Sequence, residues 1–173
     1  MKKWLLLLTM LPLAALAENK QSYCNDRFGY CIKVSLPFSF NAALPSSEQG
    51  ILDDLYLVED VVFTTPDKAD TIITQAAPYF GADTAENYFA ELSKATRDMP
   101  VRVTDSRFEN DIYRARLVSK KGMVWQQYQT IKPRKDAEYA KILYKLDFFF
   151  PEKHQRKMNP IIEEALKSWQ TGL

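Results

Sequence analysis

A chain of 173 residues with 23 basic and 22 acidic side chains is close to electrical balance. Such balance gives no electrostatic reason to bind nucleic acid and no strong pull towards anionic lipid. With one His, two Cys and 46% hydrophobic residues, the composition is that of one ordinary domain whose core needs neither a metal nor many disulfides.

The first stretch, MKKWLLLLTMLPLAALA, reads as a signal peptide over residues 1–17. Lys2 and Lys3 form the positive start, Trp4 to Leu16 the apolar run, and Ala15 and Ala17 the small residues before a cut ahead of Glu18. The apolar run is shorter than the roughly 18–20 residues a helix needs to span a bilayer. Glu18 stands where a lipoprotein would carry Cys. Cleavage removes two of the 23 basic side chains and none of the 22 acidic, leaving a net charge of −1. Residues 18–173 are then expected as one free domain, periplasmic or secreted, with no integral membrane segment.

Glu18 to Gln21 read as a short flexible leader. Cys24 and Cys31 follow. In an exported protein two nearby thiols oxidise to each other, so a structural disulfide is expected between them. Their spacing is wider than the C-x-x-C of redox pairs, and one His is too few for a zinc site. Tyr30 to Leu36 alternates as a strand that Pro37 ends. Asn41 to Gly50 is a loop, Leu55 to Thr65 a strand, Asp67 to Asp70 a turn, and Asp70 to Ala77 a returning strand. Ala85, Tyr88, Phe89, Leu92 and Ala95 predict an amphipathic helix from Thr84 to Arg97, capped by Asp83 with Glu86 in a capping box. Strands are predicted over Val101 to Asp105, Asp111 to Ser119 and Met123 to Ile131, with a tight turn at Lys120-Lys121-Gly122. After a polar loop from Lys132 to Glu138, Tyr139 to Phe149 alternates most strongly. Ala140, Ile142, Tyr144, Leu146 and Phe148 share one face, and Lys141, Lys145 and Asp147 the other. Asn159-Pro160 predicts the start of a last helix with Ile161, Ile162, Ala165, Leu166 and Trp169 on its apolar face. Strands joined by hairpins and flanked by two helices make an α+β architecture around an antiparallel sheet.

Two stretches resemble the PsbP-like family, which includes DcrB-like bacterial envelope proteins. One is Arg27-Phe28-Gly29-Tyr30-Cys31-Ile32-Lys33-Val34, an aromatic-led strand running into a proline. The other is Leu146-Asp147-Phe148-Phe149-Phe150-Pro151, leading through a polar turn to Asn159-Pro160-Ile161-Ile162 and closing on Leu166-Lys167-Ser168-Trp169. Pro37-Phe38-Ser39-Phe40 replaces the usual Pro-x-x-Trp-like turn. The resemblance implies an α/β/α sandwich and a scaffold that mostly binds other proteins without catalysis of its own. It carries over no catalytic residue.

Candidate chemistry is sparse. His154 lies in a charged turn, with no Gly-x-Ser-x-Gly elbow in the chain, and a solvated turn accounts for it. Asp53, Asp54, Glu59 and Asp60 match no calcium loop and read as a charged strand edge, which leaves ion binding there open. Phe38, Phe40, Tyr79 and Phe80 lie beside Pro-containing loops, where large aromatics most often fold back as plugs; if exposed they are the candidate partner-binding aromatics or the lid of a ligand cleft. The basic runs Lys132 to Lys135 and Lys153 to Lys157 read as solvated faces, and if they met at one end of the sheet they could receive an acidic partner. The expectation is a non-catalytic periplasmic adaptor that recognises a protein of the cell envelope, an immunity-type inhibitor being one form. A small-molecule-binding accessory protein of envelope metabolism is the alternative, and a hydrolase ranks third. No cofactor or metal is expected.

Overall fold

The computed structural model describes residues 20–35, 37–41, 59–134 and 140–173. The stretch read as a signal peptide, most of the loop that begins at Asn41, Asp53 and Asp54, and residues 135–139 of the polar loop lie outside these.

The chain builds β1 (Lys20–Asn25), β2 (Tyr30–Ser35), β3 (Ser39–Asn41), β4 (Glu59–Thr64) and β5 (Thr71–Pro78) before the helix α1 (Ala85–Arg97). It continues as β6 (Arg102–Glu109), β7 (Ile112–Val118), β8 (Met123–Pro133) and β9 (Lys141–Pro151). A 3₁₀ turn (Glu152–His154), α2 (Gln155–Ser168) and β10 (Gln170–Thr171) complete it. Seven strands form one sheet in the order β3-β4-β5-β9-β8-β7-β6, and β1-β2-β10 form a small second sheet. Every pairing is antiparallel, as an α+β fold of hairpins requires.

Register assigns the two faces of the large sheet. Phe148 pairs with Ile72 on one side and Gln126 on the other, and side chains alternate between faces. Ile142, Tyr144, Leu146, Phe148 and Phe150 therefore share one face, and all are fully buried. The small sheet and α2 cover that face. Ile32 and Val34 of β2 and Met158, Ile162 and Ala165 of α2 join Leu146, Phe148 and Phe150 in one apolar cluster. The Lys33 amide donates to Ser168 Oγ at 2.9 Å, which ties the end of α2 to β2. On the opposite face α1 packs Phe89 against Tyr113, Ala115 and Leu117 of β7.

Several boundaries differ from the sequence reading. Lys20 and Gln21, expected in a flexible leader, are strand residues. They pair with Ser35 and Val34, and the Lys20 ammonium meets Glu164 of α2 at 2.7 Å. The cap of α1 is Thr84, whose Oγ1 accepts from the Asn87 amide at 3.2 Å, so neither Asp83 nor the Glu86 box starts the helix. Its buried stripe is Phe89, Ser93 and Thr96, while Ala95 is exposed. The rotation is set by hydroxyl partners, since Ser93 meets Ser106 Oγ at 2.8 Å and Thr96 meets the Tyr113 hydroxyl at 2.9 Å. The β6–β7 link is a two-residue turn, Asn110-Asp111, with both φ values positive, the geometry that suits the twist of a hairpin.

Helix α2 begins four residues ahead of Asn159, so Pro160 lies inside it rather than at its first position. Proline deprives the Arg156 carbonyl of its amide partner. Both residues are exposed, so the carbonyl stays open to solvent and the lost bond costs little. Asp147, expected on a polar face, is buried, and its carboxylate accepts from the Trp125 indole at 3.0 Å.

Candidate functional site

The aromatics singled out by sequence do not form one patch. Phe38 is 0% exposed and belongs to the core beneath α2, so it offers nothing to a partner, a correction to the sequence reading. The segment after Pro37 turns inward because Phe38 completes the cluster of Val61, Phe63 and Phe148. Phe40 is 46% exposed and stacks on Tyr23 at 5.9 Å. With Gln21, Ser22, Ser39 and Phe63 they line a shallow groove of about 330 Å³ between β1 and β3. Tyr79 lies edge-on to Tyr88 at 5.3 Å, with Lys141 over its ring, and Phe80 is 70% exposed. Phe40 lies level with Ile72 through β4, whereas Tyr79 follows the far end of β5. The two groups are about 20 Å apart along that strand.

The two basic runs part in the same way. Lys132 pairs with Ile142 at one end of the β8–β9 hairpin, and Met123 pairs with Pro151 at the other, beside the second run. About 30 Å of strand separates them, so they share no end of the sheet. Glu59 and Asp60 pair with Ala76 and Gln75 on β5, and β3 pairs with β4 only from Val62 to Thr64. Cys24 and Cys31 are bonded and face each other in the β1–β2 register.

His154 is no free turn residue. Its Nδ1 lies 2.7 Å from Asp70 Oδ1, and Lys157 Nζ lies 2.8 Å from Asp70 Oδ2. Asp70 is wholly buried, and each of its carboxyl oxygens has one of these partners. A hydrolytic triad also needs a hydroxyl at the other ring nitrogen. The nearby Thr65 hydroxyl instead donates to Asp67 Oδ1 at 2.6 Å and accepts from the Asp70 amide at 3.1 Å. The cluster clamps the β4–β5 turn to the start of α2. The Thr65 and Ala69 bonds, with Lys157 adding charge, hold the Asp67 carboxyl below its ordinary range. Among the described residues no three His, Cys, Asp or Glu side chains converge to hold a metal.

The most developed constellation is one the sequence reading did not single out. On the face shared with α2, but beyond the reach of its apolar stripe, register sets Arg114 opposite Tyr128 and Arg116 opposite Gln126. On the next strand Arg107 faces Arg114, and Asp105 faces Arg116. Asp105, Arg114, Ala115, Arg116, Gln126 and Tyr128 line a recess of about 210 Å³. Arg116 is fixed on all sides. Its Nη1 donates to Thr104 Oγ1 at 3.0 Å, and its Nε and Nη2 donate to Gln155 Oε1 at 3.2 and 2.7 Å. Arg114 Nε lies 3.0 Å from Asp105 Oδ2, and Arg102 pairs with Glu152 at 2.7 Å. Gln126 Nε2 donates to the Tyr128 hydroxyl at 2.5 Å. Burial, with Asp105 adding repulsion, raises the Tyr128 phenol against the opposing pull of the Gln126 bond, and it stays protonated. The signal was present in the sequence as Arg-x-Arg on one strand and Gln-x-Tyr on the next, the period that puts both pairs on a single face.

No protein-family model and no curated protein matches the chain. Solved structures do. The cyanobacterial PsbP (CyanoP) of Synechocystis sp. PCC 6803 superposes with a TM-score of 0.57 at 11% identity, covering 91% of this chain and 95% of its own. This chain has the PsbP-like fold. LpqN, involved in cell envelope biogenesis of Mycobacterium tuberculosis, gives a TM-score of 0.57 at 11% identity, covering 89% of this chain and 92% of its own. At that identity the likeness concerns backbone architecture. The arginine recess must be argued from its own residues, because a PsbP-like fold by itself names no ligand. Among the described residues, no helix is long and apolar enough to cross a membrane.

Proposed function

We propose that this chain is an extracytoplasmic, non-catalytic binding protein that recognises a protein of the cell envelope through the β6–β8 half of its large sheet. The observation that carries the reading is the arginine-lined recess on a sheet face whose other half is covered by α2 and the small sheet. Arg102, Arg107 and Glu109 around it are exposed, and such a charged rim steers a complementary surface into place. Export is supported by the signal-like leader and by the disulfide. The similarity to LpqN fits an envelope role. An immunity-type inhibitor is one form such a protein takes, with the acidic surface of a toxin as its partner.

The alternative, a small-molecule-binding accessory protein, draws on the Tyr23–Phe40 groove. Its volume of about 330 Å³ lies at the bottom of the range for such sites, roughly 300–1,000 Å³. Site-specific photo-crosslinking separates the readings. A photoreactive residue in place of Arg107 should capture one envelope protein, and the same residue in place of the exposed Glu163 on α2 should not. The purified partner should then bind one to one and lose affinity with Arg107→Glu. Equal adducts from both positions, or a partner indifferent to Arg107→Glu, would sink the reading.

A further inference from the structure

The arginines of the recess differ in how they are used. Arg116 spends its guanidinium on Thr104 and Gln155 and serves as a fixed charge. Arg114 approaches Asp105 only at Nε, at ion-pair distance and without a hydrogen bond. Among the described residues neither of its terminal nitrogens has an acceptor, and its side chain is 35% exposed. Directly across the register, Tyr128 is 8% exposed. Its hydroxyl accepts from Gln126, and among the described residues nothing accepts the hydroxyl's own hydrogen. Opposed cross-strand residues on one face sit about 5 Å apart at Cβ. A fork donor and a phenol donor thus converge on the same small volume.

We propose that this recess is a carboxylate site that takes a single Glu or Asp side chain of a protein segment, gripped by Arg114 and by the Tyr128 hydroxyl. A guanidinium with both terminal nitrogens available binds a carboxylate in two parallel hydrogen bonds. The volume, about 210 Å³, admits one side-chain head group and is below the size of ordinary small-molecule sites. Charge selects the monoanion. Arg102, Arg107, Arg114 and Arg116 face Asp105, Glu109 and Glu152, four positive against three negative, so one negative charge balances the cluster and a dianionic phosphate exceeds it. Register also sets Arg107 opposite Arg114, an unfavourable like-charge pair. Asp105 offsets it from one side, at 3.5 and 3.0 Å, and an incoming carboxylate offsets it from the other.

The site rests on the preceding reading only for the source of its carboxylate. The test is an NMR titration of the exported protein with a blocked tripeptide, acetyl-Gly-Glu-Gly-amide. Its Gln counterpart and inorganic phosphate serve as comparison probes. The Glu peptide should shift resonances of Asp105, Arg114 and Tyr128 saturably, and the Gln peptide should not. Arg114→Gln should weaken binding about tenfold or more, as loss of a charge-assisted contact does, and Tyr128→Phe, which keeps the packed ring, about fivefold. Arg114→Lys should recover only part of the affinity, because the fork is lost. Equal response to both peptides, tighter binding of phosphate, or unchanged affinity in Tyr128→Phe and Arg114→Gln would overturn the assignment. Peptide binding without any Arg107 adduct would leave the site standing and remove the docking reading. An adduct without peptide binding would do the reverse.

Discussion

The two halves of one sheet face are built by the same alternation and end in opposite chemistry. On β9, Ile142, Tyr144, Leu146, Phe148 and Phe150 lie under β2 and α2 and are dry. Two strands away on the same face, β7 presents Arg114 and Arg116, and β6 presents Asp105 and Arg107, all facing solvent or the recess. A sheet binds its own helix where the face is apolar and remains available to something else where the face is charged. The start of α2 marks the border, since Gln155 touches Arg116 while Met158, one turn on, is fully buried.

The comparison breaks first at the covered half. Phe148→Ala should cost about 3–5 kcal/mol in denaturant unfolding, because its ring is enclosed by α2 and both neighbouring strands. A loss below about 1 kcal/mol would mean that this half is not the core. Next is the Cys24–Cys31 bridge, which closes a short loop across the small sheet that covers this half. Reduction should cost about 2–3 kcal/mol and lower Tm by several degrees without unfolding the protein. Intact mass showing two free thiols in exported protein would remove the bridge altogether.

A smaller effect comes from acid. Glu164 is held below its ordinary value of 4.5 by Lys20 of β1 and then by Ser35 of β2, which link both strands to α2. A depressed carboxyl stabilises the fold above its unfolded pKa and loses that stabilisation as pH falls through its folded pKa. Glu164→Gln should therefore lower Tm at pH 7 and flatten its decline below about pH 4.5. Equal decline in both proteins would show that the link contributes nothing. The smallest effect belongs to the open half. Arg114→Gln should change stability by no more than about 0.5 kcal/mol, since it removes a partly exposed pair. A much larger loss would make Arg114 a structural residue and weaken its assignment to binding.

The reading of the fold went furthest where periodicity was strong. The alternation from Ile142 to Phe148 is visible without a structure, and Gly122 has the positive φ its turn needed. It failed where a distant partner decides. Asp147 looks solvent-facing by alternation, but the Trp125 indole reaches it from β8. His154 looks like a turn residue until Asp70, 84 positions earlier, is placed beside it. Phe38 follows a proline in a loop-like stretch, and only the packing of β4 and α2 shows that it is core.

Local patterning alone determined the longer strands of the large sheet, the existence of two helices and the hairpins that join β6 to β8, because each depends on neighbours within a few positions, whereas β1, β3 and β10 took their strand form from distant partners. The tertiary structure decided which half of the sheet is covered, that the two basic runs stand apart, and that Arg114 meets Tyr128. Those outcomes depend on strand order and register, which bring together residues far apart in sequence.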